Sequence, residues 1–181
     1  MTEIPQPTTT VRRATPMDAL ADAYVERSIA LDPLEATSLG LPGHDTEMPD
    51  FSPAGTAARA DLARTTLAEL ARLTPVDEID RVTHAAMRER LGLAVELADA
   101  GELTRELNVI ASPVQAVREV FDLMPTASTT DWETVAQRLG AVPAALAGYA
   151  ESLRTARERG EVAAVRQVEA CIKQADELAD P

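Results

Sequence analysis

The chain has 181 residues, 45% of them hydrophobic, which is enough to bury a core within one domain of ordinary size. Its net charge of −13 repels phosphate backbones and anionic lipid, so nucleic acid and membrane are excluded as expected partners. Aromatic residues make up only 3%, so the core is expected to be Leu, Val, Ile, Met and Ala, a composition that favours close-packed helices over a sheet.

The first fourteen residues contain Pro and Thr but no apolar run, and read as a flexible tail with neither a signal peptide nor a membrane span. From residue 15 to 181 the chain reads as a single helical domain. Thr15, Pro16 and Asp18 supply a cap, a proline at the first helical position and an acid in the first turn. Met17, Leu20, Tyr24 and Leu31 follow at helical spacing. Asp32-Pro33 restarts a short helix that Gly40 ends. Residues 41–52 form a polar loop with two prolines. Ser52-Pro53 caps a third helix whose inner face carries Leu62, Thr66 and Leu70, and Thr74-Pro75 breaks it.

A long helix is predicted near 77–100. Ile79, Val82, Ala86, Leu93 and Leu97 form one stripe, and Met87, Leu91 and Val95 a second. Two adjoining stripes imply burial on several sides, so this is the expected central helix, with Leu91, Leu93, Val95 and Leu97 well buried. Ser112-Pro113 opens a helix bearing Val114, Val117, Phe121 and Met124. Thr130 to Glu133 reads as a capping box for a short helix through Leu139. A further helix carries Val142, Leu146, Tyr149 and Leu153 and stops at Gly160. The last carries Val165, Val168, Ile172 and Ala175. No stretch alternates as a strand would. The expectation is an all-α bundle of about six to eight mostly antiparallel helices.

Chemistry-bearing patterns are sparse. Cys171, the single cysteine, lies on an apolar stripe and reads as a buried structural thiol in a reducing, cytoplasmic setting. His84 reads as a satisfied helix residue. His44, Asp45 and Glu47 place three groups able to bind protons or metal within four residues of the 41–52 loop. They are the candidate contribution to a cleft wall, weighed against an ordinary solvated loop. No His-Glu-x-x-His pattern, nucleophile elbow, P-loop or dinucleotide fingerprint occurs, so no catalytic residue, metal ligand or cofactor is assigned to this chain.

The order of several short motifs is more specific. Pro33-Leu34-Glu35-Ala36-Thr37-Ser38-Leu39-Gly40 comes first, then Leu107-Asn108, Met124-Pro125-Thr126 and Thr130-Asp131-Trp132. Gln137-Arg138-Leu139, Val142-Pro143, Gly160 and Arg166-Gln167-Val168 follow. This series resembles the bacterial domain of unknown function family 885 over nearly the whole chain after the tail. It departs from the family where Ile110 to Pro113 replaces a glycine-containing segment and where Val165 replaces a proline. The resemblance implies a larger, helical, zinc-peptidase-like protein of which this chain is the N-terminal third. Zinc is expected only in full-length relatives, whose zinc motif lies beyond the region matched, and no family ligand maps onto a residue here. In such hydrolases a metal-activated water attacks an amide carbonyl with a glutamate as general base.

Three readings follow. The first is a non-catalytic helical portion of that hydrolase family, truncated by nature or otherwise. The second is a helical interaction module that docks a partner. The third is an independent enzyme using carboxylates. Under the first, Val165, Val168 and Ile172 of the last helix are expected to face a separately supplied catalytic half or a second copy, near a contiguous apolar patch.

Overall fold

The computed structural model describes residues 12–179. Among them are eight α-helices and no strand: α1 (Pro16–Leu31), α2 (Pro33–Ser38), α3 (Pro53–Leu70), α4 (Glu78–Asp99), α5 (Glu102–Arg105), α6 (Pro113–Glu119), α7 (Thr129–Glu158) and α8 (Val165–Ala179). A single 3-10 turn, Val120–Leu123, extends α6. The chain is all-α, as the composition implies.

Capping chemistry sets most of the boundaries. Thr15 and Asp18 form a reciprocal capping box on α1, Asp32 caps α2 through the Leu34 and Glu35 amides, and Ser52 caps α3. Pro16, Pro33, Pro53 and Pro113 each occupy a first helical position, where no amide hydrogen is needed.

One expected break is absent. The helix through Leu139 and the helix from Val142 are both parts of α7, which runs for 30 residues across Pro143. Its cap is Ser128, boxed with Asp131, rather than Thr130. Proline at 143 removes one amide donor, yet the rest of the ladder continues because α7 is held along its length by the elements it carries.

The second correction concerns α4. Leu91 is buried, but Leu93 and Leu97 are exposed, as are Ile79, Val82 and Ala86. Only the stripe of Met87, Leu91 and Val95 turns inward, with Met87 packing against the cluster of Met17, Leu20 and Leu70. Helix α4 touches α3, α1 and α5, all on one side, and is therefore an edge helix rather than the central one. Burial on one side covers one stripe, and the second faces water.

A charged clamp joins the start of α1 to the start of α4. The Arg12 guanidinium donates to Asp77 (2.6 Å), Asp18 (2.5 Å) and Asp80 (2.5 Å). Asp80 is almost wholly buried and also accepts from the Thr15 hydroxyl (2.8 Å) and the Val76 amide (3.0 Å). Of the expected tail, residues 1–11 lie outside the described residues, and Arg12 is fixed by this clamp.

The clamp makes stability depend on acid. The Thr15 amide, followed by Arg12, holds the Asp18 carboxyl below its ordinary range, and hydrogen bonding from Arg12 does the same for Asp77. Depressed carboxylates contribute fully above the unfolded value, near pH 4, and lose that contribution as pH falls through their folded values. Arg12→Gln should therefore lower the urea midpoint at neutral pH and flatten its decline between about pH 5 and 3. Parallel midpoint curves for the two proteins would show that the clamp adds nothing.

Candidate functional site

The site is built on the 41–52 loop and on the helix beneath it. A loop of this length has carbonyl groups that no helix ladder satisfies, and they need donors. Helix α7 supplies them from one face. Arg138, fully buried, donates to the carbonyl oxygens of His44 (2.7 Å), Glu47 (3.1 Å) and Pro33 (3.5 Å) and to Thr37 Oγ1 (2.9 Å). Further along, the Ser152 hydroxyl donates to the Phe51 carbonyl (2.7 Å). Gly148 allows close approach, because a Cβ there would lie 3.0 Å from the Ser52 nitrogen. Gly55 is tighter, because a Cβ would meet the Asp50 carbonyl oxygen at 2.0 Å.

Arg138 carries a buried charge and pairs with no carboxylate directly among the described residues. Burial pulls its pKa down, opposed by the nearby carboxylates of Asp45 and Glu47. Its four oxygen partners join Thr37, in the motif that opens the family resemblance, to Gln137-Arg138-Leu139 a hundred residues later. Asn108, of the Leu107-Asn108 motif, accepts from the Ile110 (2.8 Å) and Ala111 (2.7 Å) amides and so closes the turn that leads into α6.

His44, Asp45 and Glu47 come together as a local cluster rather than a ligand set. His44 Nδ1 lies 2.9 Å from Glu47 Oε2, and the Glu47 side chain is half exposed. Among the described residues no group of three or more His, Cys, Asp or Glu side chains is placed to hold a metal ion. His84 is half-buried on α4, far along the chain from this loop. Cys171 is half-buried rather than buried, and partial burial pushes its thiol pKa up, which lowers its thiolate content.

The more developed concavity was not visible in the sequence. Adjoining cavities meet around Leu103 and Glu106, in and just after α5. One, about 270 Å3, is lined by Tyr24, Ser28, Asp32, Glu35 and Arg59 over an alanine and leucine floor. A second, about 160 Å3, shares Asp32, Arg59 and Leu103 with it and reaches Glu106 and Tyr149. A third, about 560 Å3, opens between Leu97, Arg105, Glu106 and the segment Val162–Ala164 before α8. The Tyr149 hydroxyl donates to the Glu106 carbonyl (2.5 Å), and burial pushes its pKa up to about 12, so it stays protonated.

Within the smaller chambers Arg59 and Asp32 face each other without an ion pair. Arg59 spends its hydrogen bonds on the Asp50 carbonyl (2.9 Å) and Thr56 Oγ1 (3.4 Å). Burial lowers the Arg59 pKa, and burial raises that of Asp32, each only partly opposed by the other's charge. Arg59 lies within the Ser52-Pro53 helix and reaches back to the loop before it.

At the far end, α8 presents Gln174 to the body, where it accepts from the Gln115 side chain (2.5 Å). Val165 (72%) and Ile172 (56%) are exposed, and Val168 is half-buried.

An all-α scaffold with a loop stapled by a buried arginine and a mixed-charge cleft beside it is the class of protein that the geometry defines. The model of the family described as bacterial protein of unknown function (DUF885) matches residues 33–181, and the chain belongs to that family. No curated protein matches the chain.

If Arg138 organises the site, Arg138→Met should lower stability by about 2–4 kcal/mol, because several carbonyls lose their donor at once. Limited proteolysis should then cut first between Leu41 and Asp50. Wild-type resistance of that loop in the variant would show that other contacts hold it.

Proposed function

We propose that this chain is the helical, non-catalytic portion of a metallopeptidase-like hydrolase, and that α8 docks the chain carrying the catalytic group. The observation that supports the reading is the apolar arc of α8, which is wider than the contact the helix makes. Val165 and Ile172, two turns apart, point to solvent, while the polar Gln174 forms the hydrogen bond to the body. An amphipathic helix gains its stability from burying its apolar face, and here much of that face is uncovered. The third cavity, beside the segment that leads into α8, lies where a docked chain would close it. The chain as a whole carries a net charge of −13, so the partner face is expected to be apolar with a basic rim. No nucleic acid and no lipid surface enters this reading. No helix among the described residues is long and apolar enough to cross a membrane.

The catalytic metal would belong to the partner. His44, Asp45 and Glu47 would contribute at most polar contacts on the rim of the completed cleft, through a loop that Arg138 already holds in place. A second reading, a general interaction module, is favoured by the exposed stripe of Ile79, Val82, Leu93 and Leu97 on α4, which offers a second apolar face.

Two measurements test the proposal. Elemental analysis after dialysis should find zinc well below one ion per chain, and a tightly held stoichiometric zinc would return His44 and Asp45 to the role of ligands. Analytical ultracentrifugation should show concentration-dependent association of the wild type, abolished in Val168→Asp plus Ile172→Asp with the helical content kept. A wild type that remains strictly monomeric at high concentration and binds no catalytic half would reject α8 as a docking face.

A further inference from the structure

The chambers between α1, α2 and α3 hold opposite charges that are not paired among the described residues. Arg59 is half-buried, and among the described residues its guanidinium makes hydrogen bonds only to the neutral oxygens of Asp50 and Thr56. Across the cavity, Asp32 Oδ1 is occupied by the Leu34 and Glu35 amides (3.1 and 3.4 Å), whereas Oδ2 has no hydrogen-bond partner among the described residues. Glu35 Oε2 accepts from the Ser28 hydroxyl (2.7 Å), which aligns a second carboxylate on the same wall. A charge taken partly out of water without a partner is costly, and two such charges of opposite sign across one opening define a site with two poles.

We propose that this cavity binds a small zwitterion, an α-amino acid with an aliphatic side chain. Its carboxylate pairs with Arg59, and its ammonium sits between Asp32, Glu35 and the Tyr24 ring. Guanidinium matches carboxylate geometry, and an aromatic face together with two carboxylates suits an ammonium group. The floor of Ala60, Leu62, Ala63, Ala94 and Leu103 suits a branched aliphatic side chain rather than a polar one. At about 270 Å3 the chamber falls below the usual range for drug-sized ligands and fits a molecule of amino-acid size. Two carboxylates to one guanidinium disfavour a simple anion, and the guanidinium disfavours a simple amine. A net-neutral ligand with separated charges satisfies both walls. The inference rests on the cavity and not on docking at α8, so either can fail alone.

The test is nuclear magnetic resonance titration of the full isotopically labelled chain with L-leucine. The comparison ligands are 4-methylpentanoate, which lacks the ammonium, and 3-methylbutylamine, which lacks the carboxylate. Leucine should shift amides along Tyr24–Glu35 and around Arg59, and each comparison ligand should bind at least about tenfold more weakly. Asp32→Asn keeps an oxygen to cap α2 but removes the charge, and should weaken leucine by about tenfold or more. Arg59→Gln should do the same, and if loss of its bond to Asp50 unsettles the fold, Asp32→Asn carries the test alone. No shifts up to about 10 mM leucine would overturn the proposal. So would equal binding of the amine, or leucine binding unchanged in Asp32→Asn.

Discussion

The rest of the structure depends on the need of one irregular segment for hydrogen-bond donors. Residues 41–52 cross the molecule without a ladder of their own, and α7 runs beneath them. Arg138, Gly148 and Ser152 recur on one face of that helix at spacings that keep them under the loop. They offer a guanidinium, a gap and a hydroxyl in turn. A guanidinium suits this task because it has five donors in a plane and remains charged even when buried. Once the loop is fixed, so is the entry to α3, and with it Arg59, which donates to the Asp50 carbonyl at the loop's end.

This arrangement gives the motifs of the family a physical meaning. The Thr37 hydroxyl and the Arg138 side chain are bonded partners, so the opening motif and the later Gln-Arg-Leu motif are two halves of one contact. Asn108 closes a turn, and Tyr149 donates to the carbonyl just before Leu107. All of these are contacts within the chain. They hold walls in place within a chain that belongs to the DUF885 family.

Apolar surface is distributed unevenly. The interior is closed by small residues, with Ala36, Ala63 and Ala156 nearly inaccessible, while larger apolar side chains on α4 and α8 remain in contact with water. Close packing of alanines brings helix backbones together and leaves little room for bulky side chains between them. Larger apolar residues are therefore divided, with Met17, Leu70 and Leu91 buried and Ile79, Val82, Leu93, Val165 and Ile172 exposed. The cleft around Leu103 and Glu106 lies between the α1–α3 side, which is well packed, and the α8 side, which is lightly held.

The sequence by itself determined the helices and most of their ends, because caps, prolines and glycines act on the backbone within a few residues. Thr15-Pro16, Asp32-Pro33 and Ser52-Pro53 needed no tertiary information. It also carried the family, through motifs whose order is a property of the chain. Where periodicity had to choose a face, it was insufficient. Both stripes of α4 satisfy helical spacing equally, and only its place at the edge decided that Leu91 is buried while Leu93 and Leu97 are not. The sequence divided Thr130–Leu139 from the helix that begins at Val142, and in the folded chain the two form one continuous helix, α7. The site was the least legible part. Asp32 was recognisable only as a cap and Arg138 as one letter of a motif. Their partners are backbone carbonyls and distant side chains, and no local pattern records which of these the folded chain will bring within hydrogen-bond reach.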